Sequence, residues 1–230
     1  MSDPVPLRLV SDFVDGYDHH FAGSHREDLP VWRRWSRTTR TRSDDHRLLV
    51  AAGLSLPRVG SLESFDPLEL VVAYVDARAH RGEGKRRGTA GDLLADGVPP
   101  WTYCTAWVGP DAGGRSIRVL GIGRMFWWLT YLARLGEWRS NVDARVFLAD
   151  DYLTLDPHPH IFHEAIGRLQ RMLGEPLVAV DFVQSGSGLV AVDLGTAPGV
   201  PLEVVDHSPI PPGLDVAQCI AARWRELRSE

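Results

Sequence analysis

Asp181 and Asp193 flank Ser185-Gly186-Ser187-Gly188, a cluster of turn residues set between two strand-like runs within Val178 to Gly199. That order predicts a β-hairpin. With an odd loop, and Gly188 in the left-handed position of a bulged turn, Asp181 lies opposite Asp193, and Val178, Val180 and Phe182 face Val190, Val192 and Leu194. An even loop sets Asp181 against Val192 and mixes polar with apolar residues on both faces, which a half-buried hairpin resists. The odd register is therefore expected. Like charges directly across a strand pair repel unless a cation lies between them or one carboxyl keeps its proton. Hard oxygen ligands with no thiolate nearby suit Mg²⁺, held partly by protein and partly by a phosphate. The same pattern also fits two carboxylates on a solvated face.

Cationic side chains upstream stand in settings that suit anions. In Ala79 to Asp92, Gly82, Gly84, Gly88 and Gly91 punctuate His80, Arg81, Lys85, Arg86 and Arg87. A mobile basic loop is expected there, with backbone able to close over an anion. A surface hairpin has the same composition, and the Gly-Lys-Ser/Thr ending of a P-loop is absent. Arg118 sits inside the strand-like run Arg115 to Gly121, where a charge needs a partner. Arg139 and Asn141 follow in Glu137-Trp138-Arg139-Ser140-Asn141. Trp32 and Trp35 interleave with Arg33, Arg34, Arg37, Arg40 and Arg42. Such a stretch suits phosphates or stacked bases. It equally suits an edge strand whose arginines reach carboxylates, and the acidic balance of the chain favours that second reading. His19 and His20 are adjacent and point apart on a strand or a helix, so a polar surface or substrate loop is expected around them and His25 ahead of a metal site. Two prolines and the lack of clean ligand spacing count against a transition-metal site at His158, His160 and His163.

These residues need elements to position them. A helix is expected from Ser43, as N-cap, to Gly53, and a buried strand from Leu68 to Val75. Trp101 to Val108, Arg115 to Gly121 and Met125 to Leu132 read as an antiparallel meander, with a further strand from Ala144 to Leu148. Phe162, Ile166, Leu169 and Leu173 have helical spacing, with Gly174 as the stop. Leu7 to Val14 is read as a strand and Leu214 to Leu227 as an amphipathic helix. At 230 residues and 44% hydrophobic, the chain can bury a substantial core as one domain or two packed lobes. Its net charge of −5 argues against a protein that coats nucleic acid nonspecifically. Cys104 and Cys219 show no metal or redox spacing, which suits a reducing cytoplasm. No secretory signal is visible, and the longest apolar run, Met125 to Leu132, is too short to span a bilayer.

In chain order these pieces resemble the ATP-grasp enzymes over about residues 40 to 200. The hairpin Asp181-Phe-Val through Val-Asp193-Leu-Gly195-Thr-Ala-Pro198-Gly199 resembles their C-terminal metal-binding signature. Ser43 to Gly60 is similar to their helix and Gly-Leu-x-x-Pro segment, and Leu70 to Lys85 to a strand running into a glycine-rich phosphate loop. The resemblance implies an α+β fold of two lobes with antiparallel sheets, flanking helices and a reduced N-terminal domain. The implied divisions are a substrate-binding segment or extension at 1–42, a nucleotide-binding lobe at 43–110 and a metal-bearing lobe at 111–230. It further implies ATP and Mg²⁺, with Asp181 and Asp193 as metal ligands. His80, Arg81, Gly82, Gly84, Lys85 and Arg118 would bind nucleotide, while Arg118, Arg139 and Asn141 would serve catalysis. The implied activity joins a small-molecule or peptide carboxylate, activated as an acylphosphate, to an amine. Nucleic-acid binding or modification and a non-catalytic scaffold are the other readings, and the oligomeric state is left open. Three departures stand out: Gly195 replaces the usual Asn, Asp193 the more common Glu, and Val71-Val72-Ala73-Tyr74 the usual Val-Val-Lys-Pro.

Overall fold

The computed structural model describes residues 40–76, 84–109, 114–139, 145–148, 159–186, 188–195, 226, 227 and 229. The expected strand at Leu7 to Val14, most of the Trp/Arg stretch and nearly all of the helix at Leu214 to Leu227 lie outside these residues.

The first element, helix α1 (Arg42–Ala51), starts two residues earlier than the sequence suggested. Thr41, not Ser43, is the N-cap, because Thr41 and Asp44 satisfy each other's backbone N–H in a capping box. At its other end Gly53, at φ 88, takes the left-handed conformation that ends the helix. The nearby Ala52 carbonyl accepts from Arg168 Nη1 at 3.1 Å.

Strands β1 (Val59–Ser61), β2 (Leu70–Tyr74), β3 (Lys85–Thr89) and β4 (Tyr103–Ala106) form a small antiparallel sheet in the order β1-β4-β2-β3. Alternation puts Val71, Ala73 and Cys104 on one face, where they meet Leu62, Phe65, Val98 and the short helix α2 (Ala90–Ala95) through Ala90 and Leu93. The opposite face carries Val72, Tyr74, Lys85 and Thr105. Two expectations change here. Lys85 to Thr89 is a paired strand rather than loop. The strand around Cys104 belongs to this sheet and not to a meander, because its buried side packs into the small core.

The larger antiparallel sheet has the order β7-β6-β5-β8-β9, built from β5 (Arg115–Ile122), β6 (Met125–Leu132), β7 (Arg145–Leu148), β8 (Leu177–Ser185) and β9 (Gly188–Gly195). Helix α3 (Pro159–Leu173) lies across it, burying Phe162, Ala165, Ile166 and Leu169 against Ile117, Val119, Val178, Val180 and Phe182. Leu49, Ala52 and Leu54 join the same core, so α1 packs with the large sheet although it precedes the small one in sequence. Buried Gln170 stitches the layers, donating through Nε2 to the Gly123 and Pro176 carbonyls, each at 2.9 Å.

The helix-to-sheet distance is set at Gly121. A Cβ there would come within 2.4 Å of Ile166 Cγ2, a distance real Cβ atoms do not adopt. Gly121→Ala should therefore cost about 1–3 kcal/mol of unfolding free energy in urea titration, as overpacking does. Combining it with Ile166→Ala should cost less than the sum of the two single changes; strict additivity would mean the close approach is not what Gly121 serves.

Candidate functional site

The site begins on the face of the large sheet turned away from α3. Register places Arg118 of β5 beside Asp181 of β8, and Asp181 beside Asp193 of β9, so one row crosses three strands. Arg118 donates through Nε to Asp181 Oδ1 at 2.7 Å and through Nη2 to Oδ2 at 2.9 Å, a two-point clamp. Its Nη1 donates to the Tyr131 hydroxyl at 3.1 Å, and the guanidinium lies 4.7 Å from that ring's centre. Burial opposes the charge on Arg118, but Asp181 outweighs it and raises the pKa further above its ordinary value.

Asp193 lies opposite Asp181, as expected, but by a different route. Ser185 pairs with Gly188, which makes the connection an even one, and Gly186 takes φ 57. A β-bulge then shifts the register between Asp181 and Phe182, leaving Val192 without an opposite residue. The bulge reassigns the core face of β9 to Leu189, Ala191 and Leu194, while Val190 and Val192 turn away. An even loop plus one extra residue thus delivers the carboxylate pairing of an odd loop.

The charge between the strands comes from the protein. Arg42, from the first turn of α1, donates through Nη1 to Asp193 Oδ1, and Lys85 Nζ stands 3.6 Å from Oδ2. Arg42 also lies 3.7 Å from Asp45 Oδ2, and Asp45 accepts from Arg40 Nε at 2.8 Å. The two described arginines of this stretch do reach carboxylates, but from the start of α1 and not from an edge strand. Burial works against ionisation of Asp193, yet Lys85, Arg42 and Arg118 outweigh it and hold the carboxyl below its ordinary value.

Beside this network the two sheets meet through aromatic rings. His46 of α1 lies 2.6 Å through Nδ1 from the Tyr103 hydroxyl, and its ring packs near Tyr74 and Tyr103. Burial pushes the Tyr74 and Tyr103 hydroxyls up to about 12. A cleft opens between the sheets, with an empty volume of about 700 Å³ counted out into its mouth. Val72, Tyr74, Trp107 and Val108 form one wall, and Asp181, Val183, Val192 and Asp193 the other, with Lys85 and Arg139 at its margin. Arg139 is locked by Glu137, donating through Nε at 2.9 Å and Nη2 at 2.8 Å; these bonds hold the Glu137 carboxyl down to about 2. Two buried donors, Arg87 Nη1 and Trp107 Nε1, find no acceptor among the described residues. The Arg87 guanidinium lies 4.7 Å from the Trp107 ring centre, so the two stand together.

Of the residues singled out from sequence, the structure brings Lys85, Arg118, Asp181 and Asp193 into one network, with Arg139 on the same cleft. Gly84, at φ 64, precedes β3. His80, Arg81, Gly82 and Asn141 lie outside the described residues. His46, Tyr74, Trp107 and Tyr131 carry no site signal in the sequence, and Arg42 and Arg87 stand there only as members of longer basic stretches. The Thr41-x-x-Asp44 capping signature could have placed Arg42 at the start of α1. His163 accepts from Trp128 Nε1 at 2.9 Å and stacks on Phe126, as an ordinary packed side chain does.

The donor set does not fit a resident divalent cation. Every oxygen of Asp181 and Asp193 faces a protein cation. Gly195 offers no side-chain ligand, and no cluster of three or more metal-binding side chains occurs among the described residues. The geometry therefore gives no support to Mg²⁺ bound by these two aspartates alone.

A four-stranded and a five-stranded antiparallel sheet with a cleft between them define the class: the chain has the ATP-grasp fold. It is similar to D-alanine–D-alanine ligase from Bacillus anthracis at TM-score 0.56 and 11% identity, covering 82% of this chain and 68% of that one. Similarity to D-cycloserine synthetase DcsG is at TM-score 0.57 and 14% identity, over 84% and 72% of the two chains. The ATP-grasp ligase PsnB, in a complex with a precursor variant, Mg and ADP, aligns at TM-score 0.50 and 17% identity over 90% and 64%. No family model matches the sequence, and no curated protein matches it significantly. No helix among the described residues is long and apolar enough to cross a membrane.

Two measurements test the network. Arg118→Met leaves Asp181 buried without its partner and should cost about 3–5 kcal/mol in urea unfolding, whereas Arg118→Met with Asp181→Leu should cost less than the two single changes summed. His46 supplies a pH dependence: burial, only partly opposed by the Val192 carbonyl and Asp193, lowers its pKa. Because the folded form then resists a proton that the unfolded form accepts near pH 6.5, stability falls as pH drops from about 6.5, by at most about 1.4 kcal/mol per pH unit for each such histidine. His163, also lowered by burial, adds to the slope. His46→Gln should remove about half of it between pH 6.5 and 5; an unchanged slope would mean that His46 charges freely in the folded state.

Proposed function

We propose that the chain binds ATP in the cleft between its sheets and acts as an ATP-dependent ligase that activates a carboxylate and joins it to an amine. What carries this reading is the combination at the cleft: an apolar, aromatic wall, two buried donors at and beside Trp107 awaiting an acceptor, and the cations Lys85 and Arg139 in its lining, with Arg118 clamped on Asp181. A flat heteroaromatic base supplies ring-nitrogen acceptors and a stacking face for the first two, and a polyphosphate supplies charge for the third. Small-molecule sites typically have this mixture of apolar lining and a few convergent polar groups.

In the proposed reaction a carboxylate oxygen attacks the γ-phosphorus, the bond to the β–γ bridging oxygen breaks, and ADP leaves. The amine then adds to the acyl carbon, loses a proton and expels phosphate. Phosphoryl transfer of this kind needs positioning and charge stabilisation more than covalent help from the protein. Lys85, on the small sheet, would meet phosphate oxygens. Arg118 and the Glu137-oriented Arg139 would face charge that builds on the transferring group. The assignment of Asn141 to the acylphosphate, and of His80, Arg81 and Gly82 to the nucleotide, rests on sequence order.

A second reading, binding without turnover, draws on the ion-paired state of Asp181 and Asp193. Calorimetry with ATP in Mg²⁺ buffer and a screen of amino acids and peptides for stimulated ADP release separate the two. The expected result is saturable ATP binding, with ADP release lowered roughly 10²-fold by Arg139→Ala. ATP binding without ADP release for any acceptor would favour the second reading, and no ATP binding by the native chain would end both.

A further inference from the structure

We infer that the cation beside the phosphates is part of the protein: Lys85, which lines the cleft, is pinned by Asp193, whose other oxygen is held by buried Arg42, where a carboxylate-held metal would stand, and the cleft takes a polyphosphate without a metal bridge to Asp181 or Asp193. The inference takes its ligand class from the nucleotide reading above. It comes from the disagreement between the donor set and a divalent ion.

Arg42 is 3% exposed, and a guanidinium so buried is costly unless it is paired and held. Its position is over-determined. The Thr41–Asp44 capping box sets the first turn of α1, Leu49 and Ala52 anchor the helix in the large core, and Asp45 and Asp193 grip the charged end. Lys85 is fixed by strand pairing opposite Tyr74 and stands 5.4 Å from that ring's centre. Asp193 thus works as an anchor that aligns two cations from different parts of the fold.

Charge balance points the same way. Among the described residues, Arg40, Arg42, Lys85 and Arg118 pair with Asp45, Asp181 and Asp193, so each of these carboxylates already faces a protein cation. A carboxylate already neutralised by a protein cation is a poorer ligand for a divalent ion. Gly195 fits this arrangement, since no amide ligand is needed where no metal is held. Any divalent ion required for turnover would then arrive on the nucleotide and keep water in place of protein ligands, as Mg²⁺ readily does.

The test uses the full chain, with ATP and with inorganic tripolyphosphate, titrated calorimetrically in Mg²⁺ and again in excess EDTA. Removing Mg²⁺ should change either Kd by less than about fivefold, and Asp193→Asn, by releasing Arg42 and Lys85, should weaken binding by the same factor in both buffers. A tightening by Mg²⁺ of about fivefold or more that disappears in Asp193→Asn would overturn the inference. If Asp193→Asn does not fold, Lys85→Gln serves instead and should weaken binding equally with and without Mg²⁺; a loss confined to the Mg²⁺ buffer would count against it. Tripolyphosphate binding in EDTA without ATP binding would retain this inference and remove the nucleotide reading. No binding of either probe would remove both.

Discussion

Asp193 is the carboxylate on which this architecture turns. It sits on an edge strand of the large sheet, yet its two oxygens take a guanidinium from α1 and an ammonium from the small sheet. A single residue therefore connects the helix that opens the described chain, the strand that follows the glycine-rich segment and the final hairpin. Removing one partner of such a buried network leaves uncompensated charge, so its members are mutually dependent in a way that apolar contacts of similar area are not.

Around that anchor the fold separates two tasks. The helix-covered faces of the sheets bury apolar residues and hold the layers at fixed distances, most tightly where Gly121 lets α3 approach β5. The facing surfaces carry what remains after burial is satisfied: the Arg118–Asp181–Asp193 row on one side, and Tyr74, Lys85, Thr105 and Trp107 on the other. His46 and the Tyr74–Tyr103 pair close the junction, so the cleft is bounded by rigid rings at one end and by the Glu137–Arg139 clamp at the margin.

At 11–17% identity to structures that share its fold, the chain keeps that fold through its burial pattern rather than through particular residues. Burial patterns tolerate exchange among apolar residues of similar size. Charges in a cleft answer to whatever occupies it, and here each carboxylate of the row already faces a protein cation. A scaffold conserved in shape can thus carry a local chemistry of its own.

The periodicity of Phe162, Ile166, Leu169 and Leu173, the turn cluster near Gly186 and the apolar run at Leu70 determined α3, the β8–β9 hairpin and β2, since these depend on neighbours a few residues away. The opposition of Asp181 and Asp193 was legible too, although the bulge that produces it was not. Local sequence also marks Arg118 as a strand arginine in need of a partner. Tertiary structure alone decided that the partner is Asp181, that the strand at Cys104 joins the small sheet, and that Arg42 reaches Asp193 from 151 positions away. Turns, caps and strands are set by steric and hydrogen-bond preferences within one segment, whereas the occupant of a charge depends on which segments the core brings together. For that reason the carboxylates were visible in the chain, and the cations between them emerged only once it was folded.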